Sequence, residues 1–165
     1  MKYAFIGSHG TGKSAAAHFL AAKLKKEDPT KSVKLLEESV REITKLVGIN
    51  NPEFQKLAIL DSVYNQVLYT SIYDIVICDR IAYDYIVYAN YYKVEIDKSY
   101  HLLASKNLKE FDKVYFVRPD NTPIADDGFR FTDTKIRNEI DKLFLGMLEQ
   151  SGTLYEEVRT KEVFK

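Results

Sequence analysis

Apolar residues recur along the chain in two rhythms, as short solid runs and as longer stretches at helical spacing. The solid runs Lys2 to Ile6, Val33 to Glu37, Ile75 to Cys78, Val114 to Val117 and, more weakly, Leu154 to Val158 predict strands. Helical spacing predicts helices near 13–26, 39–47, 53–72, 82–92, 97–109 and 134–150. In the first of these, Phe19, Leu20 and Leu24 share a stripe on a background rich in Ala and Lys. Strands that alternate with helices imply a parallel sheet covered on both faces, and short, wholly apolar strands suit such double burial.

One helix departs from a simple two-faced pattern. After Pro52, Phe54, Leu57, Ala58, Tyr64 and Leu68 form one apolar stripe, while Leu60, Val63 and Val67 form another. A helix apolar nearly all round is expected to be central. Asp61 and Asn65 interrupt it, so they either face solvent at a rim or serve a purpose inside, because a desolvated carboxylate needs a partner.

Length and composition narrow the class. At 165 residues, one domain with a substantial core is expected and two are not. Lys plus Arg equals Asp plus Glu at 24 each, so no global basic field would gather nucleic acid. The single cysteine, Cys78, excludes an internal disulfide and reads as a small buried hydrophobe. No apolar run approaches the roughly 20 residues that span a bilayer, and no leader-like segment precedes the first strand, so a cytoplasmic location is the expectation.

The chemistry concentrates at strand ends. Directly after Tyr3-Ala4-Phe5-Ile6 comes Gly7-Ser8-His9-Gly10-Thr11-Gly12-Lys13-Ser14, a full G-x-x-x-x-G-K-[ST] loop between a strand and a helix. Small residues let the backbone of Gly7, His9, Gly10, Thr11 and Gly12 approach phosphate oxygens, and the helix start aims its N–H groups at the same point. Lys13 would reach the β- and γ-phosphates of ATP, and the Ser14 hydroxyl would ligate Mg²⁺. His9 is a spacer whose side chain is assigned no chemistry.

At the end of the third strand, Cys78-Asp79-Arg80 places a carboxylate and a guanidinium where ligands gather in open α/β sheets. Asp79 could hold Mg²⁺ through water or accept a proton from an attacking hydroxyl; the alternative is a carboxylate that caps the next helix. Glu38 and Arg41, three residues apart after the second strand, either line one pocket or form a surface ion pair. Arg41 and Arg80 together favour an anionic acceptor, a monophosphate over a nucleoside. The stretch 118–132, with two prolines and a glycine, reads as a long lid loop carrying Arg118 and Arg130. Tyr85, Tyr88 and Tyr92 lie on one helical stripe that suits packing better than base stacking. His18 and His101 have no partners at metal-ligand spacing.

With the phosphate loop, E-S-V-R-E, I-C-D-R-I-A-Y-D-Y-I-V-Y-A and D-D-G-F-R in this order, the chain resembles the small P-loop kinases. It looks most like the AAA-type group that includes nicotinamide riboside kinase domains and virus-encoded deoxynucleotide kinases. Its Asp79-Arg80 is similar to the D-R pair of thymidylate kinases. The resemblance covers residues 1 to about 150. It implies a three-layer P-loop NTPase fold over 1–165, with a mostly parallel five-stranded sheet of order 2-3-1-4-5. It further implies ATP with Mg²⁺, phosphoryl transfer to a small nucleoside or nucleoside monophosphate, and a place in nucleotide metabolism. The roles implied are Gly7 to Ser14 and Arg118 for ATP, Ser14 and Asp79 for the metal, Lys13, Asp79, Arg80 and Arg130 for catalysis, and Glu38, Arg41, Asp61 and Arg80 for the acceptor. Expected partners are this small molecule and no membrane; nucleic acid is disfavoured, and a homodimer is allowed. The rival readings are a 5′-hydroxyl nucleic-acid kinase or ATPase, and an ATP-binding regulatory module without turnover.

Overall fold

The computed structural model describes residues 1–38, 40–48, 51, 53–120 and 132–160, with the side chain of Arg41 outside that description. Eleven elements alternate among these residues: β1 (Lys2–Ile6), α1 (Lys13–Glu27), β2 (Val33–Leu36), α2 (Val40–Val47), α3 (Phe54–Thr70), β3 (Ile75–Asp79), α4 (Ala82–Tyr92), α5 (Lys98–Leu108), β4 (Lys113–Val117), α6 (Thr134–Ser151) and β5 (Glu156–Val158). The strands form one parallel sheet of order β2-β3-β1-β4-β5.

Side-chain alternation along β1 sends Ala4 and Ile6 to one face and Tyr3 and Phe5 to the other. The first face packs with Val76 and Cys78 of β3 against Val87 of α4 and Ile140, Phe144 and Leu148 of α6. The second packs with Ile75 and Ile77 against Ala16 and Ala17 of α1, where small side chains let the helix lie close to the sheet. Both faces are therefore dry, as the unbroken apolar strands require. The register pairs Phe5 with both Asp79 and Tyr115, so the loop after β1 and the end of β3 emerge side by side.

Helix α3 is not central in the way its pattern suggests. Phe54, Ala58 and Ile59 are buried with Ile86 of α4 and Ala104 of α5, but Leu60, Tyr64 and Val67 are 46%, 65% and 58% exposed. Both expected stripes split: Leu57, Tyr64 and Leu68 of the first are exposed while Val63 of the second packs on the core, because only one side of the helix finds α4 and α5. No helix among the described residues is long and apolar enough to cross a membrane.

Candidate active site

The turn from β1 into α1 requires backbone that only glycine adopts without cost. Gly7, Gly10 and Gly12 have φ of 135°, 66° and 83°. A Cβ on Gly7 would stand 2.7 Å from the Val117 carbonyl oxygen, so the loop lies hard against the end of β4. Gly12 begins α1 with no side-chain cap, which leaves the first N–H groups of the helix to another acceptor. Ser8 Oγ is fully buried and has no hydrogen-bond partner among the described residues. Uncapped N–H groups and an orphaned hydroxyl in one loop fit a polyphosphate.

The charged groups of the loop are satisfied from within the protein. Lys13 is 5% exposed, and its Nζ donates to the Ser8 carbonyl at 2.5 Å and to Thr11 Oγ1 at 3.4 Å. Burial first, and then the neighbouring Arg80, lower its pKa to about 7 against the pull of Asp84, Asp79 and Glu38. The Ser14 hydroxyl donates to Asp79 Oδ2 at 2.5 Å. This couples the start of α1 to the end of β3 through two oxygen ligands of the type Mg²⁺ takes. Among the described residues no three His, Cys, Asp or Glu side chains gather into a metal cage. Mg²⁺ bound by one or two protein oxygens and substrate phosphates needs none.

Behind this pair lies an ion cluster that sequence reasoning missed in part. Arg80, itself at a positive φ of 74°, places Nε 2.5 Å from Glu38 Oε1 and Nη1 3.6 Å from Asp84 Oδ1. Its guanidinium also stands over the Tyr88 ring, 5.2 Å from the centroid. Burial alone would depress the Arg80 pKa, yet Glu38, Tyr88 and Asp84 raise it well above its ordinary value. Asp84, fully buried in the first turn of α4, accepts the N–H of Gly7 at 3.2 Å and of Ile81 at 3.1 Å. Burial pushes its carboxyl up to about 6, opposed by Arg80, Lys13 and these two N–H donors. The available signal was a carboxylate in the first turn of a helix, a position that binds N–H groups near the chain's own turn. His9, buried, sits 3.4 Å through Nδ1 from the Tyr88 hydroxyl.

A cavity of about 430 Å³ opens beside Asp79. It is lined by Lys34, Glu37 and Glu38 from the end of β2, by Asp61, Asn65 and Tyr69 from α3, and by Asp79, Arg80 and Tyr85. Asn65 donates to Asp61 at 3.0 Å, so the two polar residues that interrupt the apolar pattern of α3 meet on its cavity side. Tyr85 packs in the core while lining the cavity, and Tyr92 is exposed. Burial raises the Cys78 thiol to about 12, so it is an inert wall group.

The structure thus gathers Lys13, Ser14, Glu38, Asp61, Asp79 and Arg80 around one site. Arg118 is turned elsewhere: its Nε and Nη2 hold Asp141 of α6 at 3.0 and 2.8 Å, and its Nη1 holds Glu157 of β5 at 3.1 Å. Arg130, most of the lid loop and the Arg41 side chain lie outside the described residues. Arg137 of α6, not singled out by sequence, is buried and donates to the Asp120 carbonyl at 3.1 Å.

The model of the AAA domain family matches residues 2–164. No curated protein matches the chain. Among solved structures, thymidylate kinase from Ehrlichia chaffeensis is similar at a TM-score of 0.64 and 18% identity, over 96% of this chain and 86% of that one. Deoxyadenosine kinase from M. mycoides, solved with dCMP and a flexible dCDP bound, is similar at a TM-score of 0.64 and 14% identity, over 98% and 91%. These likenesses agree with the strand order in giving the P-loop NTPase fold.

Proposed function

The chain belongs to the AAA domain family, and from that premise we propose that it is an ATP-dependent kinase acting on a small nucleoside or nucleoside monophosphate, as one domain over residues 1–165. The observation that carries this reading is the placement of Asp79, which receives the Ser14 hydroxyl on one side and lines a cavity large enough for a small molecule on the other. A mechanical ATPase needs the first contact but no acceptor cavity beside it.

Mg²⁺ held by Ser14, with Asp79 reaching it through water, would neutralise charge on the transferring group. The loop N–H groups and Lys13 would hold the β- and γ-phosphates. Asp79 would take the acceptor's hydroxyl proton as that oxygen bonds to the γ-phosphorus and the bond to the β–γ bridging oxygen breaks, ADP leaving with the electron pair. Arg130 is the proposed lid cation, and Arg41 an acceptor contact.

A panel of nucleosides and monophosphates assayed with ATP and Mg²⁺ for a phosphorylated product tests this. Lys13→Ala should abolish turnover, and Asp79→Asn should lower kcat by about 10²-fold or more, the scale of a lost general base, with little change in ATP affinity. ATP hydrolysis with no phosphorylated acceptor anywhere in the panel would defeat it.

A further inference from the structure

Three carboxylates act on the Lys13 ammonium: Asp84, Asp79 and Glu38. Glu38 lines the cavity, and Asp79 both lines it and takes the Ser14 hydroxyl. Asp84 does neither, yet it is fully buried. A carboxylate taken wholly out of water is costly unless its oxygens are engaged, and here the two are engaged differently. Oδ2 accepts the N–H of Ile81 at 3.1 Å, a local bond that secures the start of α4. Oδ1 reaches across 77 positions to accept the N–H of Gly7 at 3.2 Å, and it stands 3.6 Å from Arg80 Nη1. That same Nη1 donates to the Gly7 carbonyl at 3.5 Å. The first glycine of the phosphate loop is thus held at its N–H by a carboxylate and at its carbonyl by the guanidinium which that carboxylate faces. Capping α4 would need only one oxygen.

Resting on the kinase reading above, we propose that Asp84 is a positioning residue for phosphoryl transfer: with Arg80 it clamps Gly7 and so fixes the loop amides that hold the nucleotide. Glycine permits the φ of 135° at this turn but does nothing to hold it there. The restraint comes from outside the loop. Because Arg80 Nε is held at 2.5 Å by Glu38 in the cavity wall, the same guanidinium registers the donor loop against the acceptor side. Preorganised donors count most where charge develops in the transition state. Loosening the clamp should therefore lower kcat more than it weakens ATP binding.

Asp84→Asn keeps the size of the side chain but turns an amide group toward either Ile81 N–H or the Gly7 N–H and Arg80. With whichever acceptor of the panel is turned over, kcat should fall about 10²-fold, the scale of a misplacement near 1 Å. MgATP affinity, read by calorimetry, should fall only about threefold to tenfold, in a protein that still melts cooperatively above the assay temperature. Asp84→Ser, which keeps one oxygen for the start of α4, should show the same split if Asp84→Asn does not fold. A folded variant whose kcat falls less than tenfold, whatever its Tm, makes Asp84 a helix cap only and overturns the proposal; so does failure of both variants to fold. If the wild-type protein phosphorylates nothing, the kinase reading fails separately, and MgATP affinity decides for the clamp. A fall of threefold or more in the folded variant upholds it; unchanged affinity, or no binding by the wild-type protein, overturns it.

Discussion

Lys13 occupies its loop as a buried ammonium whose partners are a neutral carbonyl and a hydroxyl. Burial has lowered its pKa to about 7, so above neutrality the side chain sheds its proton in the absence of an anion. Arrival of a polyphosphate favours the charged form and draws the proton back. By linkage, ATP affinity should weaken as pH rises above about 7, at most tenfold per unit, and binding at pH 8 should take up a proton. Calorimetry in two buffers of different ionisation enthalpy reads that uptake, and Lys13→Ala should abolish it. At this scale the sequence was most legible where a residue's role is written in backbone geometry: three glycines, a lysine and a serine at fixed spacing. It was least legible for Arg80. Whether a guanidinium is available to a ligand depends on which carboxylates the fold brings to it, and Glu38 and Asp84 come from different elements.

Among elements, the alternation of strand and helix and nearly every boundary follow from apolar periodicity, because a strand buried on both faces and a helix buried on one leave distinct signatures. Helix α3 shows the limit, since its apolar residues look alike in sequence and only packing decides which are buried: Phe54 and Ala58 go in, while Leu57 and Tyr64 of the same stripe stay out. Arg118 shows another, for a residue after a strand reads as a lid cation yet here ties β4 to α6 and β5. Arg118→Ala would leave the buried Asp141 carboxylate without its main partner, at a cost of about 1–3 kcal/mol. Thermal melting should therefore show a fall in Tm for this variant; a loss of kcat with Tm unchanged would instead mark a ligand role. Gly7→Ala tests the junction of loop and strand end. Its positive φ and the nearby Val117 carbonyl should cost on the order of 1–3 kcal/mol, which at this size lowers Tm by about 2–4 °C per kcal/mol.

For the molecule as a whole, one sheet joins the halves of the site, since β1 carries the phosphate loop and β3 carries Asp79 as its immediate neighbour. A ligand gripping both should stabilise the entire domain. ATP with Mg²⁺ at a hundred times its Kd should add about 2.7 kcal/mol, visible as a rise in Tm that Lys13→Ala loses. That adjacency was legible through the general rule for open α/β sheets, whereas the polar lining of the cavity was not, because it joins residues at β2, α3 and β3 that lie far apart in sequence. The Thr160 hydroxyl, finally, donates to the carbonyl of Thr11, 149 positions away, and its side chain fills the space that a Cβ on Gly12 would need. The segment after β5 thus clasps the loop that follows β1, and a change that loosens the docking of β5 on β4 should reach the loop through this one contact.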